Sequence, residues 1–179
     1  TTVRGSGQAI DVDHVAGRVE VRNATLLDNI DGIEATVFSA DVEVAIVNNV
    51  ILDTGSTAIA TDAANADVRG NTIEGAGTGT GIHLSGDRAG AAIVDNAIEG
   101  AGVGIRVEGD GSTVAGNTVE ANGLGLQAFG ARGLTVTRNL FVGNNMGASV
   151  INSFQVVVYD NLFDNDGTNA EELFSDARW

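Results

Sequence analysis

The 179-residue chain is long enough for one domain with a buried core, and no shift in composition marks a second domain. The absence of cysteine excludes disulfides and thiolate metal sites. A net charge of −15 with only nine basic residues argues against nucleic acid and anionic membranes as partners, and no apolar run of about 18 residues is present to span a bilayer.

The basic residues are unusual, because all nine are arginines and lysine is absent. Acidic excess without lysine is typical of salt-in halophilic archaea, whose protein carboxylates keep the surface hydrated while concentrated salt screens their repulsion. We therefore expect a halophilic archaeon, or one of its viruses, as the source. An acidic surface on a mesophilic protein is the alternative.

An internal repeat dominates the chain. The tract Val68-Arg69-Gly70-Asn71-Thr72-Ile73-Glu74-Gly75 recurs in similar form at 21–27, 46–52, 93–100, 114–120, 136–142 and 158–164. Its aligned position falls at residues 24, 49, 71, 96, 117, 139 and 161, which are 21 to 25 residues apart. A second motif of the form Gly-Ile-x-Val interleaves with it at 9–12, 32–35, 58–61, 81–84, 104–107, 125–128 and 147–150.

Both motifs alternate apolar and polar residues between Gly, Asn and Asp, so each predicts a short strand. Strands that recur about every 22 residues bury their apolar side chains when the chain coils and each repeat pairs in parallel with the next, about 4.8 Å away. The sequence therefore predicts an all-β fold, a right-handed parallel β-helix (solenoid) of about seven rungs of 21–26 residues, over residues 1–167.

Asparagine occupies the aligned position of the first motif in six consecutive repeats. An amide side chain both donates and accepts hydrogen bonds, so stacked amides satisfy one another from rung to rung. We expect a structural ladder of Asn49, Asn71, Asn96, Asn117, Asn139 and Asn161.

The two motifs resemble the parallel β-helix repeats of the pectin-lyase-like superfamily, including its carbohydrate-binding and sugar-hydrolase members. The resemblance covers residues 3–166 and implies the fold, but no single activity, because the superfamily contains lyases, hydrolases, epimerases, tailspikes and structural repeats. The segment Asp11-Val12-Asp13-His14 is similar to the Asp/His cluster of β-helix alginate epimerases. Its order differs and no lysine accompanies it, so the family's roles are not carried over.

The C-terminal residues 168–179 predict a short helix that begins at Thr168 or Asn169. It would lay Leu173 and Phe174 over the last rung as a cap, which an open rung needs because it exposes apolar core and unpaired strand edge.

The N-terminal end predicts no comparable cap before Val3, so we expect earlier rungs, another domain or a partner chain there. Residues 35–45 form the longest insertion between strands and predict a surface loop that carries Phe38. One outward column is partly apolar and fits either a homo-oligomer contact or ordinary strand surface. It contains Arg22, Val47, Arg69, Val94, Ala115, Thr137 and Tyr159.

The outward position of the Gly-Ile-x-Val motif supplies candidate ligand-binding residues, in a column that also holds Ala60 and Ser149. The candidates are Asp11, Glu34, His83, Arg106 and Gln127. Hydrogen-bonding side chains on successive rungs can bind a sugar polymer. In an enzyme the two carboxylates would pair and His83 would be a base, but an ordinary polar surface fits better because both carboxylates lie two or more rungs from His83.

Three glutamates, Glu74, Glu99 and Glu120, occupy the outward column that follows the asparagine position. Carboxylates on successive rungs repel one another, and Ca²⁺, K⁺ or Na⁺ could bridge them, so this column is a candidate metal site. Acidic surface is the simpler interpretation, and the sequence predicts no other cofactor.

The sequence thus favours a non-catalytic scaffold, structural or polysaccharide-binding, that is extracellular or displayed on a cell surface or virion as part of a larger protein or assembly. The alternative is a carbohydrate-active enzyme, a polysaccharide lyase or glycoside hydrolase, with its site on the column from Asp11 to Gln127. A clustered acid and base on adjacent rungs would distinguish the two.

Overall fold

The chain coils into three parallel β-sheets, and each rung contributes one strand to each sheet. The computed structural model describes residues 1–14, 16–37, 42–86, 90–173 and 175–179, with strands numbered here in chain order. Sheet A contains β1 (Thr2–Arg4), β4 (Thr25–Leu27), β7 (Val50–Leu52), β10 (Thr72–Glu74), β13 (Ala97–Glu99), β16 (Thr118–Glu120), β19 (Leu140–Val142) and β22 (Leu162–Asp164). Sheet B contains β2 (Gln8–His14), β5 (Asp31–Val37), β8 (Ile59–Thr61), β11 (Thr80–Leu84), β14 (Val103–Val107), β17 (Leu124–Phe129), β20 (Met146–Ile151) and β23 (Thr168–Leu173). Sheet C contains β3 (Arg18–Arg22), β6 (Glu43–Val47), β9 (Asp67–Arg69), β12 (Ala92–Val94), β15 (Thr113–Ala115), β18 (Thr135–Thr137), β21 (Phe154–Tyr159) and β24 (Asp176–Arg178).

Every strand pairs in parallel with the equivalent strand of the neighbouring rung, so equivalent residues lie side by side. Ile73 of β10, for example, pairs with Ile51 of β7 and Ile98 of β13. The predicted parallel β-helix is confirmed, with eight rungs rather than about seven, because β1 precedes the first copy of the longer motif and pairs in parallel with β4.

The corners between sheets depend on residues with left-handed backbone. The first corner joins sheet C to sheet A through two residues in every rung, such as Asn23 and Ala24. The first of each pair has a positive φ, between 51° and 67° across seven rungs: Asn23, Asn48, Gly70, Asp95, Gly116, Arg138 and Asp160. Gly, Asn and Asp tolerate this conformation best, which explains their recurrence before the asparagine position.

The second corner joins sheet A to sheet B and repeats this geometry. Its positive-φ residues are Gly5, Asp28, Asp53, Gly75, Gly100, Ala121 and Gly143. The third corner, from sheet B to sheet C, varies most in length, and together with longer second corners before β8 and β11 it produces the unequal repeat spacing.

The core is a stack of inward Ile, Leu, Val and Phe side chains from all three sheets. Ile73, Ile82 and Ile93 are fully buried representatives of the sheets A, B and C. Glycine precedes the inward residue of sheet B because neighbouring rungs approach closely there. A Cβ on Gly125 would lie 2.5 Å from the backbone oxygen of Gly147.

The predicted capping helix is wrong, since none of the described residues is helical. Residues 168–173 instead form β23, which pairs with β20, and β24 pairs with β21. Backbone pairing with the preceding rung outweighs the helix preference of this segment. The half-exposed Trp179 packs edge-on against Phe163 at this end, with the two ring centroids 6.4 Å apart.

Two features of the sequence prediction, Phe38 of the insertion and Phe174 of the cap, lie outside the described residues. Within the described part of the chain, the structure contains no helix long and apolar enough to cross a bilayer.

Candidate functional site

The outward face of sheet B carries the candidate ligand-binding residues in one row. Pairing between strands places Asp11 beside Glu34 and Arg106 beside Gln127, on adjacent rungs in each case. Ala60 lies between Glu34 and His83, so the carboxylates and the imidazole are not neighbours. The complete row is Asp11, Glu34, Ala60, His83, Arg106, Gln127, Ser149 and Glu171.

His83 and Arg106 share a carboxylate that the sequence analysis did not identify, that of Glu108. The guanidinium of Arg106 donates to Oε1 of Glu108 through Nε at 2.7 Å and approaches it through Nη2 at 2.6 Å. Nε2 of His83 lies 3.4 Å from the same oxygen, without hydrogen-bond geometry, and is itself buried. These three side chains form a cluster near the middle of the row.

Burial controls the protonation of His83. Desolvation lowers the pKa of His83 below its usual value of 6.5, and the positive charge of Arg106 lowers it further, while Glu108 partly offsets both. The imidazole is therefore neutral at neutral pH and able to accept a proton. Glu108 could not be found from the sequence motifs because it follows β14, outside both repeats.

A surface notch lies on sheet B one rung from His83 and consists of two adjoining depressions that share Glu34 and Ala60. Its floor is Ala60, and Glu34 lies along it together with Thr57 and Asp31 toward one end of β8. Toward the other end of β8 the lining continues with Thr36, Thr61, Asp62 and Ser85. We refer to this depression as the Ala60 notch.

The three predicted metal-site glutamates lie in register on sheet A, with Glu99 paired to Glu74 and to Glu120. All three are exposed. Across the ranges that the structure describes, no group of three or more His, Asp or Glu side chains is arranged to hold a metal ion. Ion binding at this column stays a prediction.

At the first corner the structure stacks the six asparagines of the repeat. Each amide donates through Nδ2 to Oδ1 of the next, at 2.9 to 3.0 Å, from Asn49 through to Asn161. The same Oδ1 atoms accept the backbone N–H of the preceding rung, such as that of Ala24, so the ladder also fixes the corner backbone.

A second ladder, at the second corner, was missed by sequence reasoning. Asn122 donates to Oδ1 of Asn144 at 3.0 Å, and Asn144 donates to Asn165 at 2.8 Å. In two of these rungs the asparagine lies five residues after the first-corner asparagine, a spacing that could have revealed it. Both ladders hold the rungs in register and so keep the sheet B row aligned.

Comparison with known proteins agrees with this architecture. The sequence profile of the family described as "Right handed beta helix region" matches residues 37–176. The chain belongs to this family. A search of curated proteins gave no match.

Among solved structures, this β-helix is similar to the periplasmic alginate epimerase AlgG. A point mutant of that epimerase superimposes with a TM-score of 0.72 at 18% identity, over 98% of this chain and 49% of the epimerase chain. Another AlgG structure superimposes with a TM-score of 0.63 at 16% identity, over 97% of this chain and 51% of that chain. The chain thus spans about half the length of the epimerase chains it matches, and at this identity the likeness concerns the fold alone.

Proposed function

We propose that this β-helix binds polysaccharide and that the outward face of sheet B is the binding surface. One observation carries the proposal: hydrogen-bonding side chains occupy seven of the eight positions in the sheet B row, with His83, Arg106 and Glu108 clustered near its middle. The equivalent outward rows elsewhere are less polar, since sheet C contributes Val47 and Val94.

The chemistry of the row suits sugar hydroxyl groups, which both donate and accept hydrogen bonds. Glu34 and Glu171 supply acceptors, Arg106 supplies donors, and Gln127 supplies both. These groups project from a rigid sheet, so binding costs little conformational entropy in the protein.

Binding is tested by titrating the chain with soluble neutral and acidic polysaccharides in a calorimeter. Replacing Arg106→Ala should weaken binding about tenfold, because it removes charge-assisted hydrogen bonds. Arg69→Ala is a matched control: Arg69 also pairs with a carboxylate two residues away, that of Asp67, but lies on sheet C. Equal loss in both variants, or no binding by the unmodified chain, contradicts the proposal.

A second candidate function is proton abstraction from a sugar acid, as in epimerisation or β-elimination, on the same face. The lowered pKa of His83 favours it, because a neutral imidazole can act as a general base. Arg106, on the next rung, can bind the carboxylate beside the carbon that loses its proton. AlgG is an alginate epimerase, which makes alginate the first substrate to try.

Catalysis is tested by incubating the chain with alginate in D₂O. Epimerisation incorporates deuterium at the carbon beside the carboxylate, and elimination produces an unsaturated sugar that absorbs ultraviolet light. His83→Gln should lower either rate about 100-fold, and the wild-type rate should fall as the pH drops through the lowered pKa of His83. Neither product with the folded chain would leave binding as the function.

We also propose that the chain works outside the cell and at high salt, and the charge of −15 and the absence of lysine support the high-salt part of this proposal. Salt should screen repulsion among the surface carboxylates, so the melting temperature should rise by about 10 °C between dilute buffer and about 2 M KCl. A melting temperature independent of salt contradicts this.

A further inference from the structure

We propose that the Ala60 notch seats one neutral pyranose residue of the polysaccharide. The inference rests on the proposed function, because it places the polymer on the sheet B face. It adds the position and the chemical class of the sugar.

The shape of the notch comes from one small side chain and two neighbours that are drawn away from it. Glu34, on the preceding rung, accepts a hydrogen bond from Gln8, which lies one rung farther from Ala60. His83, on the following rung, faces Glu108 in the opposite direction. The flanking strands lie two rung spacings apart, about 10 Å, which accommodates a single sugar ring over the methyl group of Ala60.

The two ends of the notch have carboxylates in fixed positions. Oδ1 of Asp31 accepts from the backbone N–H of Thr57 at 3.3 Å, and Oδ1 of Asp62 accepts from that of Val37 at 2.8 Å. A carboxylate accepts several hydrogen bonds, so each retains capacity for a sugar hydroxyl.

The lining decides the class of sugar. Asp31, Glu34 and Asp62 present acceptors to hydroxyl groups and would repel a sugar that carries its own carboxylate. Arg106 lies two rungs from Ala60, on the far side of His83, and so does not neutralise them. The notch therefore fits a neutral, hydroxyl-rich pyranose.

The test fills the notch while leaving the rest of the row unchanged. Ala60→Gln introduces a side chain already present on the same row at Gln127, and Ala115→Gln is the control at a half-buried outward alanine of sheet C. Binding of hydroxyethyl cellulose, galactomannan and alginate is measured by calorimetry, and folding by thermal unfolding. We expect about tenfold weaker binding of a neutral polymer for Ala60→Gln and no change for Ala115→Gln.

Each other outcome has a separate meaning. If Ala60→Gln binds like the unmodified chain while Arg106→Ala has lost affinity, the polymer lies elsewhere on sheet B and the notch inference is overturned, whereas the proposed function stands. If alginate binds more tightly than both neutral polymers and Ala60→Gln weakens that binding, the neutral sugar is wrong. If the unmodified chain binds none of the three, the proposed function itself fails.

Discussion

The first and second corners of this β-helix share a left-handed backbone conformation but differ in their side chains. In both, a residue with positive φ precedes the corner position in seven rungs. The first corner then carries asparagine in six consecutive rungs, whereas the second carries Thr54, Ala76 and Ala101 in its middle rungs. Because the corner forms without asparagine, the left-handed residue creates it, and the amide ladder stabilises it.

The largest effect should follow from breaking the complete ladder at Asn117. Its Oδ1 accepts from the backbone N–H and the side chain of Asn96, and its Nδ2 donates to Asn139 and to the backbone oxygen of Ile93. Asn117→Leu leaves these buried groups without partners and should lower the free energy of unfolding by about 3 kcal/mol, measured by urea denaturation. A loss below about 1 kcal/mol would mean that the ladder adds little to the corner.

A smaller loss is expected at the second corner for Asn122→Leu, about 2 kcal/mol in the same measurement. Asn122 accepts the backbone N–H of Ala101 at 2.8 Å, but the methyl group of Ala101 has no hydrogen bond to lose. Fewer groups are therefore left unsatisfied than at Asn117. Equal losses at the two sites would show that ladder length does not matter.

The energetic cost of the left-handed backbone can be tested with a substitution that should increase stability. Ala121 has a φ of 54°, which costs energy for any residue with a Cβ. Ala121→Gly should raise the free energy of unfolding by about 1 kcal/mol. The reverse change, Gly116→Ala, is the control and should destabilise, because its Cβ would lie 2.3 Å from Oδ1 of Asp95. A neutral result for both would remove backbone strain as the explanation.

The smallest effect on stability is expected at Thr54, which occupies the second-corner position that Asn122 and Asn144 fill in later rungs. Its hydroxyl is buried without a hydrogen-bond partner, so Thr54→Val should stabilise by about 0.5 kcal/mol in thermal unfolding. Thr61→Val is the matched control, since the hydroxyl of Thr61 accepts from the backbone N–H of Ala63 and its removal should destabilise. If both variants lose stability equally, Thr54 has a partner after all.

The sequence allowed the fold to be predicted because the repeat encodes it at every rung. Inward Ile and Val, a left-handed residue and asparagine recur together, so the pairing of Asn71 with Asn96 could be predicted before the structure. The second ladder is harder to recognise, since the two rungs before Asn122 carry Ala76 and Ala101 at its position, and Asn165 follows the first-corner asparagine by four residues rather than five.

The candidate site was only partly predictable. His83 and Arg106 follow from the motif, whereas Glu108 lies one residue beyond it, where continued pairing of its backbone with Leu84 keeps its side chain on the same face as Arg106. The C-terminal segment Ala170-Glu171-Glu172-Leu173 has helical residue preferences, and local preference alone does not include the backbone pairing that β20 offers. The missed Glu108 and the wrongly predicted C-terminal helix therefore both involve residues outside the two repeat motifs.

Alternation of inward and outward side chains has a consequence for how such a protein can change over evolutionary time. Ala60 can vary without altering Ile59 or Thr61, which are buried on either side of it. The outward residues of a strand are thus free to change for ligand binding, while its inward residues maintain the fold. Substitutions at outward positions can therefore change what the surface binds, one rung at a time, without changing the fold.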